Sequence, residues 1–196
     1  PADRLELCAD NRPEQPRLPL DHAVPGALAH AVKINLGCGD RYAEGWTNVD
    51  RADMPHRMDW AVDLRTNSLP WLDIEYAYAG HILEHLFVDE VIVLLETLRG
   101  CMASFGELMI VGPDVILAKG QLTAGTLDVT MESLENGGHR WPGDEHRWHC
   151  TQWAIQRMLM VTGWRDIRRM NINDVPAFWP VADRRPQWQC AVSARP

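Results

Sequence analysis

The chain has 196 residues, of which 46% are hydrophobic and 23% are charged, and its net charge at pH 7 is −8. This length favours one domain that can bury a core without disulfide or metal cross-links. The negative charge disfavours general nucleic-acid binding, because the phosphate backbone repels an acidic surface.

Nothing in this sequence resembles a signal peptide or a membrane span. No stretch approaches the roughly 20 apolar residues of a membrane span. The first 30 residues are charged throughout and lack the apolar centre of a secretory signal, and the five cysteines are scattered. We therefore expect a cytoplasmic protein with free thiols that has no membrane partner.

Two parts of the chain differ in regularity. Residues 1–32 contain five prolines and little periodicity, which predicts an irregular N-terminal arm. Residues 33–196 are predicted to form a single domain, in which 115–150 make an insertion or lid on the substrate side. The predicted strands of this domain cover 33–36, 47–49, 61–64, 77–80, 107–111, 164–171 and 188–193.

The clearest predicted helix spans 87–102, where apolar residues recur at three- and four-residue spacing. Asp89 is its expected N-cap, and Gly106 is an expected turn after it. One or two short helices are predicted within 115–138, and another helix capped by Thr151 extends to 161. Alternating strands and helices indicate a mostly parallel sheet, and the last two strands are expected to be antiparallel because no helix joins them.

The sequence KINLGCGDRYAEGWTNVD, at 33–50, places a glycine turn after one predicted strand and an aspartate at the end of the next. Gly37 and Gly39 let the backbone turn sharply at the sheet edge where ligands of α/β proteins bind. Asp50 can accept hydrogen bonds from the two hydroxyls of a ribose. The pattern predicts a site for an adenosine-type nucleoside, although a turn without a ligand is an alternative.

A nicotinamide dinucleotide fits this stretch less well. Its fingerprint has a third glycine, where this chain has Tyr42, and an acidic residue about twenty positions on. The segment RYAEGW also leaves little room for the helix whose N-terminus binds a pyrophosphate.

Four segments in order resemble the motifs of class I S-adenosylmethionine-dependent methyltransferases, and more closely those of small bacterial methyltransferase type 11-like proteins. They are INLGCGDRYAEGWTNVD, AVDLRTNSLPW, YAGHILEHL and LRGCMASFGELMIVGPD. The resemblance implies a Rossmann-like, three-layer α/β sandwich with a mostly parallel seven-stranded sheet and an antiparallel final strand. It also implies a methyltransferase that uses S-adenosylmethionine.

On this resemblance, the cofactor is expected to contact the ends of the first four strands. Asp50 would hold the ribose, Asp63 would accept a hydrogen bond from the adenine amino group, and Gly80 would pass along the methionine portion. The chain departs from the family in its first crossover, which is shortened to a turn and leaves less cover over the methionine end. The full expected cofactor set is Leu36, Gly37, Cys38, Gly39, Asp50, Arg51, Asp63, Leu64, Ala79, Gly80 and His81.

His81 and His85, four residues apart in GHILEHL, are candidates for a general base. If they lie in the first helical turn after the fourth strand, both point the same way. The alternatives are a role in shaping the cofactor site and a metal pair. Because Glu84 between them does not complete an HExxH motif, no metal is predicted.

A second histidine cluster lies in GHRWPGDEHRWHC, at 138–150. His139, His146, His149 and Cys150 could ligate zinc, but their spacing fits no common zinc pattern. The alternatives are a lid over the acceptor and ordinary surface or core histidines. The lid interpretation predicts substrate contacts from Trp141, His146, Trp148 and His149, and the predicted catalytic residues are His81, His85 and His146.

These patterns predict methyl transfer from S-adenosylmethionine to an oxygen or nitrogen atom of a small-molecule acceptor. Two other functions stay open. One is a non-catalytic module that binds the cofactor or a nucleoside, since the shortened crossover could fail to orient a methyl group. The other is a metal-dependent hydrolase built on 139–150. The N-terminal arm could fold over the site or form a homodimer.

Overall fold

In the computed structural model, seven strands form one sheet. The structure describes residues 32–51, 53–65, 69–127, 129–140, 142–185 and 187–196. The predicted N-terminal arm lies outside these residues, except that Val32 already belongs to the first strand. The strands are β1 (Val32–Leu36), β2 (Thr47–Asp50), β3 (Trp60–Ala61), β4 (Ile74–Gly80), β5 (Met102–Pro113), β6 (Arg165–Met170) and β7 (Gln189–Arg195).

The strand order is β3-β2-β1-β4-β5-β7-β6. All pairs from β3 to β5 are parallel, whereas β7 lies antiparallel to both β5 and β6. This confirms the predicted seven-stranded, mostly parallel sheet with an antiparallel final strand. Because parallel strands share one orientation, the carboxyl ends of β1, β2 and β4 meet at one edge of the sheet.

The α-helices of the described residues are α1 (Val88–Cys101), α2 (Val115–Thr123), α3 (Met131–Asn136) and α4 (Gln152–Val161). Thr151 caps α4 as predicted, since its side chain accepts a hydrogen bond from the Ala154 amide. The prediction that Asp89 caps α1 is wrong. Phe87 is the N-cap, and the Glu90 carboxylate accepts from its amide, which satisfies one of the free donors at the helix start. None of these helices is both long and apolar enough to cross a membrane.

Gly106 lies inside β5 and not in a turn after α1, so that prediction is also wrong. Ile74 pairs with Met102 and Tyr76 pairs with Glu107, so residues 103–106 bulge out of the ladder. A Cβ on Gly106 would lie 2.7 Å from the Ile74 carbonyl oxygen. Glycine is needed here because two backbones approach closely.

Alternate side chains of the strands pack into two separate cores. On one face, β-strand residues such as Leu36 and Ile110 join the apolar faces of α1 and α4. On the other face, Tyr78 and Met109 join Phe178. This alternation follows from the two-residue period of a strand, and it gives the sheet one layer on each side.

The second face is covered without a helix from the first crossover, as predicted, because 37–46 contains only turns. The segment between β6 and β7 (171–188, the β6–β7 connection) packs there. Phe178 is fully buried in it, and its ring lies 5.9 Å from that of Trp46, 5.7 Å from Tyr76 and 6.4 Å from Tyr78. The β6–β7 connection therefore replaces the missing crossover helix as a cover for the sheet.

Candidate functional site

A cavity of about 700 Å³ opens at the carboxyl-terminal edge of β1, β2 and β4. The glycine turn after β1 and the end of β2 line one side. The 3₁₀ turn Leu83–His85, the loop at 137–148 and the β6–β7 connection line the others. A cavity of this size at this edge of an α/β sheet is typical of a small-molecule site.

The glycine turn is held in place by Asp50. The amide of Gly39 donates to Asp50 Oδ2 at 2.7 Å, and the amide of Arg51 donates to Oδ1 at 2.8 Å. Gly37 and Gly39 have φ values of +61° and +52°, which favour glycine. Each carboxylate oxygen can accept a second hydrogen bond, so Asp50 keeps the capacity to bind a diol while it orders the turn.

Asn48 fixes the loop between β1 and β2, which takes the place of a crossover helix. Its side-chain amide donates to the carbonyls of Ala43 and Trp46, at 3.0 and 2.9 Å, and its Oδ1 accepts from the Ala43 amide. Asn35 of β1 also donates to Asn48 Oδ1. Both asparagines are buried, so this polar network gives the short loop one conformation.

Other predicted cofactor residues differ in their access to the cavity. Leu64 and Cys38 line it, and burial together with the charge of Asp50 raises the pKa of the Cys38 thiol to about 12. Asp63 also lines it, but Arg65 binds its carboxylate with two hydrogen bonds, which lower the pKa of Asp63. Arg51 and Gly80 line the cavity as well, whereas Leu36 and Ala79 are buried in the sheet core.

His81 is held on both ring nitrogens. Its Nδ1 donates to Glu84 Oε1 at 3.0 Å, and its Nε2 accepts from the side-chain amide of Gln189 at 2.6 Å. The residue has a φ of +56°, and its amide donates to the Val111 carbonyl of β5. His81 and His85 are separated by this kink and the 3₁₀ turn, so they do not share one helical face as the sequence suggested.

Asp183 joins two distant segments of the chain at the cavity wall. Its carboxylate binds Arg41, at 2.9 Å, and Arg185. Burial alone would raise the pKa of Asp183, but the hydrogen bond from Arg185 and the charge of Arg41 outweigh it and lower that pKa. Sequence reasoning missed this cluster, because 142 residues separate Arg41 from Asp183 and no motif connects them.

Glu84, His85 and His146 converge at another part of the cavity wall, which His81 connects to Asp183. Each offers one ligand atom, and these atoms all lie within 4.8 Å of one another. Nδ1 of His146 donates to the Leu134 carbonyl at 2.9 Å, and Nδ1 of His85 faces the Glu145 carbonyl at 3.4 Å. The two imidazole rings meet edge to face, with centroids 4.9 Å apart.

Glu84 is almost fully buried, and its Oε2 is the only buried side-chain N or O atom without a hydrogen-bond partner among the residues that the structure describes. Burial alone would raise the pKa of Glu84, but the hydrogen bond and charge of His81 outweigh it, and the pKa is lowered. Burial also lowers the pKa of His146, so its ring is neutral at pH 7. Apart from its place between two histidines, no feature of the sequence pointed to Glu84.

The 137–148 loop is attached to the 3₁₀ turn. The Arg147 amide donates to the Glu84 carbonyl at 2.7 Å, and the Trp148 indole donates to the Leu83 carbonyl at 2.9 Å. These two bonds bring His146 next to His85. Trp148 therefore packs behind the histidine pair and, like His149, does not line the cavity.

The predicted histidine loop does not assemble as a cluster of its own. Of its members, only His146 belongs to the one group of metal-ligand type found among the described residues. His139 and His149 are exposed, and Cys150 is buried near Gly112. The predicted substrate residue Trp141 lies outside the described residues.

The fold is that of solved S-adenosylmethionine-dependent methyltransferases. One such structure, from Archaeoglobus fulgidus, has a TM-score of 0.53 and 14% identity, over 86% of this chain and 87% of that one. Human N-acetylserotonin methyltransferase in complex with SAM has a TM-score of 0.52 and 13% identity, over 84% of this chain and 47% of that one. PigF with SAH has a TM-score of 0.50 and 12% identity, over 85% of this chain and 56% of that one.

The chain thus spans about half the length of the human enzyme and of PigF. No protein-family model matches the sequence, and no curated protein does either. At these identities the likeness shows the fold, which agrees with the fold implied by the sequence motifs.

Proposed function

We propose that this chain transfers a methyl group from S-adenosylmethionine to an oxygen or nitrogen atom of a small-molecule acceptor. The observation that carries the proposal is the Gly37–Gly39 turn, ordered by Asp50, at the edge of a cavity large enough for two small molecules. The methyltransferase structures that share the fold support it, two of them with SAM or SAH bound. In this proposal 33–196 is the catalytic domain, and 115–150 covers the acceptor.

The residues present fit the cofactor. A Cβ on Gly39 would meet nothing within 4 Å, so the turn presents open backbone to the cavity. Asp50 would accept from the ribose hydroxyls, and Leu64 with Asp63 would flank the adenine. His81, Gly80 and the Arg41–Asp183 pair would line the methionine end, where the β6–β7 connection takes the place of the shortened crossover.

S-adenosylmethionine, when bound, supplies a methyl group that its sulfonium already activates. The chain therefore has to align the acceptor, which can contribute roughly 7–11 kcal/mol to lowering the barrier. An acceptor hydroxyl or amine must also lose a proton. We assign that proton to the cluster of Glu84, His85 and His146, because His146 is neutral at pH 7 and both imidazoles line the cavity. His81, with both nitrogens engaged, would position the cofactor.

Titration calorimetry tests the proposal, with S-adenosylmethionine and S-adenosylhomocysteine as ligands and NAD as the control. We expect micromolar affinity for the first two and none for NAD. Failure of both to bind would contradict the proposal. Binding without turnover across an acceptor screen would instead favour the non-catalytic module.

Asp50→Ala sharpens the test. It removes the acceptor of two backbone amides and of the ribose, and each charged hydrogen bond is worth about 1.5–3 kcal/mol. We expect cofactor affinity to fall by at least about tenfold. Asp53→Ala, on the same loop but exposed and paired with Arg51, is the matched control and should bind normally.

A further inference from the structure

We propose that Glu84, His85 and His146 bind a divalent transition-metal cation, such as Zn²⁺. The three ligand atoms already lie within 4.8 Å of one another at the cavity wall. Ligand bonds to zinc are about 2.0–2.2 Å long, so side-chain shifts of about one ångström would complete the site. Two imidazoles and one carboxylate are a donor set that suits zinc and its neighbours, whereas Mg²⁺ and Ca²⁺ prefer oxygen ligands.

The first argument is the unpartnered oxygen of Glu84. A buried carboxylate oxygen without a hydrogen bond is costly, and the neighbouring acid, Asp144, does not share this problem because Arg140 binds it. A cation bound by the Glu84 carboxylate would neutralise this buried charge. Glu84 also lines the cavity, so the cation has a path of entry.

The second argument is the hydrogen bonding behind the ligands. Metal-binding histidines almost always donate their other ring nitrogen to a carbonyl or carboxylate, which fixes the lone pair towards the metal. His146 does so to Leu134 and His85 faces Glu145, so Nε2 of each would be the ligand atom. The second oxygen of Glu84 is likewise held, by His81.

Sequence spacing gave no sign of this site. Glu84 and His85 are adjacent, and His146 comes 61 positions after His85, so no zinc motif is formed. The fold brings them together because the backbone of Arg147 and the indole of Trp148 bond to the 3₁₀ turn.

The inference goes beyond the proposed function and deepens its acceptor side. With three protein ligands, a cation keeps at least one open position, which faces the cavity. An acceptor hydroxyl or carboxylate oxygen would occupy it. The cation would then favour the loss of the hydroxyl proton to water. With the metal bound, the imidazoles would act as ligands, and this metal-assisted loss of the proton would replace the role of base that we assign to them above.

The experiment uses the full chain, freed of metal with a chelator and titrated with Zn²⁺ in the absence of cofactor and acceptor. We expect one Zn²⁺ per chain with micromolar or tighter affinity. Since loss of an outer-shell partner already costs 10–100-fold, E84Q, H85Q and H146Q should each lose at least about tenfold. Co²⁺ in place of Zn²⁺ should give a visible ligand-field spectrum that H146Q loses.

H149Q is the matched control, because His149 is an exposed histidine three residues from His146. It should keep wild-type affinity. Circular dichroism will show whether E84Q folds, and if it does not, H85Q and H146Q decide. The proposal is overturned if wild type binds no Zn²⁺, or if H85Q and H146Q bind as tightly as H149Q. The assay contains no cofactor, so its failure would leave the methyl-transfer proposal standing. Equally, a failure to bind S-adenosylmethionine would leave the zinc proposal standing.

Discussion

Phe178→Ala tests whether the β6–β7 connection covers the sheet in place of a crossover helix. The side chain is fully buried, and its ring contacts Trp46, Tyr76 and Tyr78 at centroid distances of 5.7–6.4 Å. Replacing a buried phenylalanine with alanine usually costs about 3–5 kcal/mol, from lost burial and the cavity that remains. That is a large part of the roughly 5–15 kcal/mol that stabilises a domain.

The assay is urea unfolding followed by tryptophan fluorescence, which the proximity of Trp46 makes sensitive to this face. Phe105→Ala is the matched control, because Phe105 is 66% exposed and its loss should change the free energy of unfolding by less than about 0.5 kcal/mol. Equal effects from the two variants would refute the packing that we describe. If Phe178→Ala remains folded, its affinity for S-adenosylhomocysteine should also fall, because Asp183 lies in the same connection.

Three further predictions address glycines and a thiol. Gly80→Ala should destabilise the fold by about 1–3 kcal/mol, because the added Cβ would lie 2.4 Å from the Tyr78 ring. Thermal unfolding measures this, and an unchanged midpoint temperature would contradict it. Gly100→Ala should raise stability by about 0.5–1 kcal/mol, since Gly100 is in α1 with open space around it, and a loss would argue against that helix. Cys38, with a pKa of about 12, holds about a thousandfold less thiolate at pH 8 than an ordinary thiol, so it should react with iodoacetamide much more slowly. Asp50→Asn removes a neighbouring charge and should speed that reaction, as peptide mass spectrometry would show; rapid labelling of the wild type would disprove the raised pKa.

The sequence was sufficient to predict the features that depend on residues close together in the chain. The glycine turn and Asp50 are eleven residues apart and lie on adjacent strands, so their meeting follows from the parallel pairing of β1 and β2. The alternation of strands and helices likewise predicted the mostly parallel sheet, and the lack of a helix between the last two strands predicted their antiparallel pairing. The helix α4 was found from its Thr151 cap and its periodicity.

The sequence was insufficient to predict the contacts between segments that are distant in the chain. Nothing in the spacing of Phe178 or Asp183 shows that they cover the first strands of the sheet. Gly106 looked like a turn because glycine marks both turns and close backbone contacts, and only the pairing of β4 and β5 distinguishes the two. The position of Trp148 was not predictable for a similar reason, since its indole binds a carbonyl 65 residues away.

The Arg41–Asp183 ion pair has a consequence for the order in which the chain matures. Its partners are 142 residues apart, so a ribosome must add the whole segment from Arg41 to Asp183 before the wall of the cavity can close. Until then, the aromatic face of Tyr78 and Trp46 stays uncovered, and contacts so distant in sequence form slowly. Between the synthesis of Arg41 and that of Asp183, the nascent chain therefore exposes an apolar surface and lacks a complete pocket, and ligand binding has to wait for the β6–β7 connection.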